Sequence, residues 1–311
     1  MALMPAARDI PPALTKGPFR CEIAFGLGVT RRQLTGSRFR RIFHRVYVSV
    51  DLPDSVELRC RAALLAVPTG AVFCGVTAAR LYRVPVPDTA DDRVHLALPA
   101  GTSTIPQVRG IVTHRYGLTL GQMRKVHDLY VVRPERLFAE LAVDLVRLDL
   151  IIAGDHLLGK GWIEPDDLRR SIEASTPRPG LRLARAVLPH LEPKTDSPME
   201  TRLRMILVDA GLPRPVANAD VFDPGGVWIG RPDLSYPALK IALDYEGGHH
   251  RTDARQYRND LTRDDQFAVN GWIHLKYDAA TVFQVRHRIV ADVREAIALR
   301  RQQDGTGSRA L

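Results

Sequence analysis

The sequence predicts a two-part protein of the α/β (α+β) class. Its 311 residues are enough for two domains of about 150 residues each, and segments with helical and strand-like hydrophobic spacing alternate along it. A stretch rich in Pro, Lys, Thr, Asp and Ser at 191–198 marks a candidate linker. We therefore expect an N-terminal region over 19–190, a C-terminal domain over 196–302, and flexible termini at 1–18 and 303–311.

The first segment of the N-terminal region has the spacing of a winged helix-turn-helix. From Cys21 the pattern is that of a short helix, a turn at Gly26 and Gly28, and a second helix capped by Thr30. Alternating Ile and Val residues over 42–50 then predict strands like those of a wing. The predicted winged helix spans about 19–50, and a mixed α/β region follows it.

Basic residues are concentrated in this predicted winged helix. Between residues 31 and 45 there are six arginines, one histidine and no acid. Such a run can neutralise several phosphates at once; the alternative is a merely solvated basic face. The net charge of +9 and the pI of about 9.8 also favour a polyanionic partner. We therefore expect nucleic-acid contact at Arg31, Arg32, Arg38, Arg40, Arg41 and Arg45.

The middle region shows helix and strand patterns without a recognisable catalytic spacing. Helices are predicted at 55–67, around 76–82 and from 133 onward, and strands at 94–99, 111–115 and 129–132. Pro134 suits a first helical turn. Asp155 and His156 fall within a helical pattern, where a structural role is the more common one.

The C-terminal domain is predicted to be helix, three strands, helix, strand, helix. Ser197 can cap the first helix. The run RPVANADVF predicts the first strand. The next two, at 228–236 and 240–245, are predicted to form an antiparallel hairpin joined at Pro237 and Ala238. A helix at about 253–270, a strand at 272–278 and a long basic helix complete the predicted domain.

Acidic side chains gather at the end of this hairpin. Asp244 and Glu246 share one face of the second strand, and Asp233 lies on the neighbouring strand. Three packed carboxylates repel each other unless a cation lies between them, so we expect neutralisation of Asp244 to relieve that repulsion when no metal is bound. Oxygen ligands favour Mg²⁺ or Mn²⁺, and we expect Asp233, Asp244 and Glu246 to hold such an ion.

Two histidines follow the acidic cluster. Gly247 and Gly248 allow a turn that brings His249 and His250 back toward the carboxylates. Either could activate water or protonate a leaving oxygen. The alternative is a hairpin end that carries solvated charges and surface histidines.

The C-terminal residues resemble the PD-(D/E)XK nuclease superfamily, in the branch similar to very short patch repair endonucleases. The resemblance covers roughly 196–300 and implies a metal-dependent restriction-endonuclease-like domain. It makes Glu200 the acid of the first helix, Asp233 the first strand acid, Asp244 the acid of the (D/E)-x-K step, and His249 or His250 the histidine after the glycine turn. Glu200 has an alternative role as a charge that complements the helix dipole.

Two further features bear on this resemblance. RNDLTRDDQFAVNGWIHLKY at 258–277 looks like the branch's D-x-x-R helix, through Asp260 and Arg263, and its Gly-Trp strand. The superfamily lysine two residues after the strand acid is replaced by Glu246. The repair-endonuclease branch does not use that lysine, and Lys240 or Lys276 are spatial substitutes.

The N-terminal region resembles the antitoxins of type IV toxin–antitoxin abortive-infection systems. The winged helix, the RVYVS strand and the segment RPERLFAELA at 133–142 carry the resemblance. It implies DNA binding and a cognate toxin as a second partner. Two functions follow: a DNA-binding, metal-dependent endonuclease-like protein, or a non-catalytic transcriptional regulator and antitoxin with a degenerate nuclease domain.

Composition excludes several other classes. Three cysteines without a CxxC pair, Cys21, Cys60 and Cys74, argue against a disulfide framework and a structural zinc site, and indicate reduced core residues. The sequence shows neither a signal-peptide core nor an apolar run near the ~18 residues of a membrane span. We therefore expect a cytoplasmic protein without a membrane partner.

Overall fold

The computed structural model describes residues 10–115, 117–118, 120–247 and 264–307. It divides the chain into two compact units, Met1–Asp144 with Arg170–Ala184, and Leu145–Arg169 with Arg185–Leu311. Both units contain helices and sheets, so the expected α+β class is confirmed. The division differs from the expected boundary near residue 190, because Leu145–Arg169 belongs to the second unit. Within the described residues no helix combines the length and apolarity needed to cross a bilayer.

The first unit begins with a small three-stranded sheet that packs on two short helices. Its strands are β1 (Phe19–Arg20), β2 (Phe39–Phe43) and β3 (Val46–Ser49), in the order β1-β3-β2, and its helices are α1 (Cys21–Gly26) and α2 (Arg31–Leu34). Thr30 caps α2 in a capping box with Gln33, as its position in the sequence predicts. The helix, turn, helix and strand order expected for 19–50 is therefore present.

The segment expected to be a loose arm is packed where the structure describes it. Pro12–Leu14 form a 3-10 helix, and Leu14 is fully buried in a cluster with Phe19, Leu34 and Phe39. The expectation of a flexible 1–18 is thus wrong for this part, because a single apolar side chain can anchor a segment that has no periodic pattern.

The rest of the first unit is a five-stranded sheet with helices. The sheet order is β6-β5-β4-β8-β7, from β4 (Val72–Phe73), β5 (Val94–Leu98), β6 (Ile111–Arg115), β7 (Met123–Val126) and β8 (Leu129–Val132). Three helices belong with it, α3 (Val56–Leu64), α4 (Gly75–Leu81) and α5 (Pro134–Asp144). Strand β5 is buried along its whole length, which identifies it as the centre of this core.

Four helices follow α5 along the chain, namely α6 (Arg147–Gly159), α7 (Pro165–Glu173), α8 (Leu181–Val187) and α9 (Pro198–Asp209). The expected linker at 191–198 is packed rather than loose, since Thr195 is buried and donates a hydrogen bond to Asp155. Ser197 caps α9, as predicted, by accepting from the backbone N–H of Glu200.

The second unit contains a four-stranded mixed sheet in the order β14-β13-β12-β9. Its strands are β9 (Val216–Ala217), β12 (Leu234–Tyr236), β13 (Ile241–Glu246) and β14 (Ile273–Asp278). Strand β12 pairs antiparallel with β13 across a 3-10 turn at Pro237–Leu239, and β13 pairs parallel with β14. The expected hairpin is therefore present at β12 and β13.

Two strand predictions require correction. The run RPVANADVF is divided between β9 and β10 (Val221–Phe222) because Asn218 turns the chain with a left-handed φ of 44°. Strand β10 pairs with β11 (Trp228–Gly230) in a separate ribbon, so β11 does not continue into the hairpin.

The C-terminal part of the second unit is mainly helical. Residues 264–269 are helical, whereas the rest of the helix expected at 253–270 lies outside the described residues. Two helices follow β14, α10 (Ala279–Gln284) and α11 (Arg286–Gly307). The expected flexible tail at 303–311 is helical as far as Gly307. Buried side chains of α9, α11 and the four-stranded sheet form one core, which includes Leu203, Leu243 and Ile289.

Candidate functional site

The carboxylates selected from the sequence lie around the carboxyl end of β13. Asp244 is nearly buried there, with 7% of its surface exposed. Its Oδ1 accepts a hydrogen bond from the backbone N–H of Asp233 over 2.9 Å, and Asp233 Oδ2 accepts from the N–H of Tyr245 over 2.7 Å. The two aspartates are thus fixed by reciprocal contacts between neighbouring strands.

Glu200 is connected to these aspartates through Asn218. The Asn218 side-chain amide donates to Glu200 Oε2 over 2.6 Å, while its backbone N–H donates to the carbonyl of Asp233 over 3.0 Å. Glu200 Oε2 also accepts from the N–H of Asp196 over 2.9 Å. The structure therefore links Glu200 through Asn218 to the backbone of Asp233, which contacts Asp244. Glu200 also lies in the first turn of α9, the position of its alternative role.

A histidine that the sequence analysis did not select lies beside Asp244. His274 Nε2 is 2.8 Å from Asp244 Oδ2, and His274 Nδ1 is 2.9 Å from Asp264 Oδ1, at an ion-pair distance without hydrogen-bond alignment. The imidazole is only 8% exposed. The buried ring thus lies between two carboxylates, with Nε2 at hydrogen-bond distance from Asp244.

Lys276 continues this chain of opposite charges. Its Nζ donates to Asp264 Oδ2 over 2.6 Å and lies 3.6 Å from Glu246 Oε1. In the parallel register Asp244 is opposite Lys276 and Ala242 is opposite His274, so acids and bases alternate across one face. Of the two lysines named as spatial substitutes, Lys276 reaches this face, whereas Lys240 donates to the carbonyl of Asn270.

The carboxylate repulsion expected from the sequence is therefore offset by protein groups. Asp244 Oδ1 accepts from a backbone N–H and Oδ2 lies at hydrogen-bond distance from an imidazole, and Glu246 has Lys276 as a partner. Among the described residues, no group of three or more ligating side chains is arranged to hold a metal ion. The described part of the chain does not by itself form the Mg²⁺ or Mn²⁺ site predicted at Asp233, Asp244 and Glu246. His249, His250, Asp260 and Arg263 lie outside the described residues.

A polar cleft of about 350 Å³ opens beside these residues. Glu246, His274 and Lys276 line one part of it, and Arg288 lines another. The side chain of Arg288 is 71% exposed and lies 3.8 Å from Asp292. Asp278 and Asp292 line the cleft as well, so it combines two cations, three carboxylates and an imidazole.

The six arginines expected to contact nucleic acid are not equivalent in the structure. Arg40 is 3.3 Å from Asp54 and also donates to the carbonyl of Leu52, and Arg45 forms an ion pair with Glu22. Arg38 is half-buried. Arg31, Arg32 and Arg41 are exposed, the first two on α2 and the third on β2. Arg31, Arg32 and Arg41 are therefore the better candidates for phosphate contact. The ion pairs of Arg40 with Asp54 and of Arg45 with Glu22 instead stabilise the β2–β3 hairpin.

Comparison with known proteins gives relatives without a stated activity. No protein-family model matches the chain. Uncharacterized proteins Rv2248 and MT2308, from two strains of Mycobacterium tuberculosis, are each 27% identical over 247 residues, which cover 78% of this chain and 88% of theirs. The crystal structure of RV2827C protein from Mycobacterium tuberculosis aligns with a TM-score of 0.40 and 13% identity over 67% of this chain and 84% of that one. The functional argument therefore depends on this chain's own residues.

Proposed function

We propose that this protein binds DNA and that its second unit is an endonuclease-like domain that hydrolyses phosphodiester bonds. The observation that carries the proposal is the convergence of Glu200, Asp233 and Asp244. Glu200 lies on α9, Asp233 directly before β12 and Asp244 on β13, yet one set of hydrogen bonds through Asn218 and the backbone connects them. Acidic side chains gathered in a nearly buried position are candidates for a catalytic site.

The order of elements supports the proposed PD-(D/E)XK architecture. Helix α9 is followed by β9, the separate ribbon of β10 and β11, then β12, β13, the helical residues 264–269 and β14. The four strands β9, β12, β13 and β14 form one sheet, and α9 packs on it. The resemblance makes Asp233 and Asp244 the strand acids of the site, and they lie directly before β12 and on β13.

The proposed DNA-binding function draws on the first unit. Arg31, Arg32 and Arg41 are exposed within the segment proposed as a winged helix. An exposed arginine that stabilises no ion pair within the protein gives up little stabilising interaction when it binds phosphate. Each such contact also releases counterions from the DNA. The net charge of +9 adds a favourable long-range field.

The chain's own residues would act on a bound phosphodiester in two ways. Lys276 and Arg288 in the cleft would hold phosphate oxygens by charge-assisted hydrogen bonds. Among the described residues, His274, at hydrogen-bond distance from Asp244, would serve as the general acid or base. Dependence on Mg²⁺ or Mn²⁺ is part of the proposed activity.

The test is cleavage of supercoiled plasmid by wild type, Asp244→Asn and Asp265→Asn. Asp265 is an exposed aspartate in the helical residues 264–269 and serves as the matched control. We expect nicking that requires added Mn²⁺ or Mg²⁺, stops with EDTA, is lost in Asp244→Asn and persists in Asp265→Asn. If wild type cleaves neither plasmid nor single-stranded DNA with either ion, the hydrolase proposal is wrong.

A specific observation favours the second candidate, a non-catalytic regulator that binds DNA and a cognate toxin. Both oxygens of Asp244 already lie at hydrogen-bond distance from protein nitrogens, one on the Asp233 backbone and one on His274. A closed network of this kind suits a degenerate site with a structural role. Thermal melts separate the candidates, because a cation that binds only the folded state raises the melting temperature. No rise at millimolar Mn²⁺ would favour the regulator.

A further inference from the structure

A pair of histidines outside the nuclease-like site has the arrangement of metal ligands. His95 lies on the buried strand β5 and His114 on the adjacent β6. His95 Nδ1 is 3.3 Å from His114 Nε2, and the ring planes are inclined by 31°. Because β5 and β6 are parallel and His95 is opposite Val112, His114 lies one pleat further along on the same face.

The separation of the two nitrogens matches one metal ion. Zn²⁺ binds histidine nitrogen at about 2.0–2.1 Å, and two ligands on one tetrahedral ion are then about 3.3 Å apart. A hydrogen bond between the rings explains the distance equally well. The groups around the two rings therefore have to distinguish a metal site from a hydrogen bond.

Acidic residues influence both rings. His95 Nε2 is 3.1 Å from Asp91 Oδ2, at an ion-pair distance without hydrogen-bond alignment, and this places Asp91 where an outer carboxylate could orient a zinc-bound histidine. Glu140 and Asp144 act on His114 through their charges, which favour a cation. Arginines partly offset these acids, since Arg93 pairs with Asp91 and Arg136 with Glu140.

The form of imidazole that binds metal is the neutral ring. In a metal-bound pair each ring would keep its proton on the nitrogen that faces away from the ion, which for His95 is the nitrogen nearest Asp91.

We propose that His95 and His114 form a binding site for a nitrogen-preferring transition-metal ion of the Zn²⁺ type, with Asp91 as the residue that orients His95. The pair contributes two protein ligands, and water completes the coordination. The site therefore binds more weakly than a four-ligand structural zinc site. Its preference differs from that of the carboxylates near Asp244, since imidazole favours Zn²⁺ and oxygen ligands favour Mg²⁺ and Mn²⁺.

The experiment is calorimetric titration of the full chain with ZnCl₂ at pH 7.5, repeated on four variants. His114→Gln removes a ligand from a half-buried position and should abolish this binding event. Asp91→Asn keeps both ligands and should weaken it by about 10- to 100-fold, the usual effect of losing an outer carboxylate. His44→Gln, at an exposed histidine of the β2–β3 turn, and Asp244→Asn should leave it unchanged.

The outcomes are distinct. A Zn²⁺ site lost in His114→Gln, weakened in Asp91→Asn and retained in Asp244→Asn supports the proposal, whatever the fate of the nuclease activity. Absence of binding to wild type, or binding unaffected by His114→Gln, overturns it and leaves an imidazole hydrogen bond. Circular dichroism without metal checks that His114→Gln folds. If it does not, Asp91→Asn decides the matter.

Discussion

The guanidinium of Arg204 lies 2.7 Å from the carboxylate of Asp155, and both side chains are almost completely buried. Asp155 also accepts from the Thr201 hydroxyl over 2.8 Å and from the N–H of Glu192 over 2.7 Å. Burial raises the pKa of Asp155, while Arg204 and these donors oppose that shift. The ion pair joins α6 to α9, the helix that carries Glu200, and it confirms the structural role expected for Asp155.

Replacement of Arg204 by Met should destabilise the protein strongly. It leaves a buried carboxylate without its cation, which typically costs about 3–5 kcal/mol. The matched control is Arg202→Met on the same helix, where the partner Asp149 is 3.6 Å away and both side chains are partly exposed, so the cost should be about 0–1 kcal/mol. Urea unfolding measures both. Similar losses in the two variants would contradict the buried-pair argument.

DNA affinity should depend on salt mainly through the exposed arginines of the first unit. Each phosphate contact contributes about −0.9 to the slope of log affinity against log salt. Replacement of Arg31 and Arg41 by Ala should therefore flatten the slope by about 1 to 2 units. The control is the double variant Arg61→Ala with Arg109→Ala, which changes two exposed arginines outside α2 and the β2–β3 hairpin. Equal flattening in both double variants would place the DNA-binding surface elsewhere.

Arg40 should affect folding more than DNA binding. It holds Asp54 and the Leu52 carbonyl beside the hairpin, and a partly exposed pair of this kind contributes about 0–1 kcal/mol. Arg40→Ala should lower the unfolding free energy by that amount and change the salt slope less than Arg41→Ala does. Fluorescence anisotropy at three salt concentrations makes the comparison, and a larger slope change for Arg40→Ala would reverse the assignment.

Asp244→Asn should destabilise the metal-free protein instead of stabilising it. From the sequence alone we expected that neutralising Asp244 would relieve repulsion between carboxylates. In the structure Asp244 is nearly buried and pairs with His274, so the variant weakens a hydrogen bond to a charged group, worth about 1.5–3 kcal/mol. Thermal melts with EDTA measure this effect, with Asp265→Asn as control. A melting temperature at or above wild type would restore the repulsion argument.

Gly180→Ala should be more damaging than Gly161→Ala. Both glycines have left-handed φ angles, 79° and 64°, so each substitution costs about 1–2 kcal/mol in backbone strain. A Cβ at Gly180 would also lie 2.7 Å from the carbonyl carbon of Ala142, whereas at Gly161 it would meet nothing within 4 Å. Overpacking adds about 1–3 kcal/mol. Unfolding free energies of the two variants should differ by that amount.

Local patterns in the sequence predicted the elements that local interactions determine. The caps at Thr30 and Ser197 mark helix starts in both the sequence and the structure. Elements that depend on distant partners were missed or misplaced. Strand β4 has only two residues and is too short to show alternation, and the run RPVANADVF gave no sign of the left-handed turn at Asn218.

The residues of the candidate site show the same difference between local patterns and distant partners. Glu200, Asp233 and Asp244 could be chosen because each ends or begins a predicted element. His274 could not, since its role depends on the parallel register of β13 and β14, which sets Ala242 opposite it. Alternation along β14 places His274 and Lys276 on one face, but it does not say which strand lies beside that face. The helical residues 264–269 before β14 bring Asp264 to both His274 and Lys276.

The Arg204–Asp155 pair sets a limit on how the chain can be divided for expression. A fragment that begins at residue 196, where the composition changes, would contain Arg204 without Asp155 and without the rest of α6. Such a fragment would bury a lone guanidinium, so we expect poor solubility from it even if its sheet is intact. A fragment of the second half with a chance of folding must therefore start before Leu145, and failure of shorter pieces would say nothing about catalytic competence.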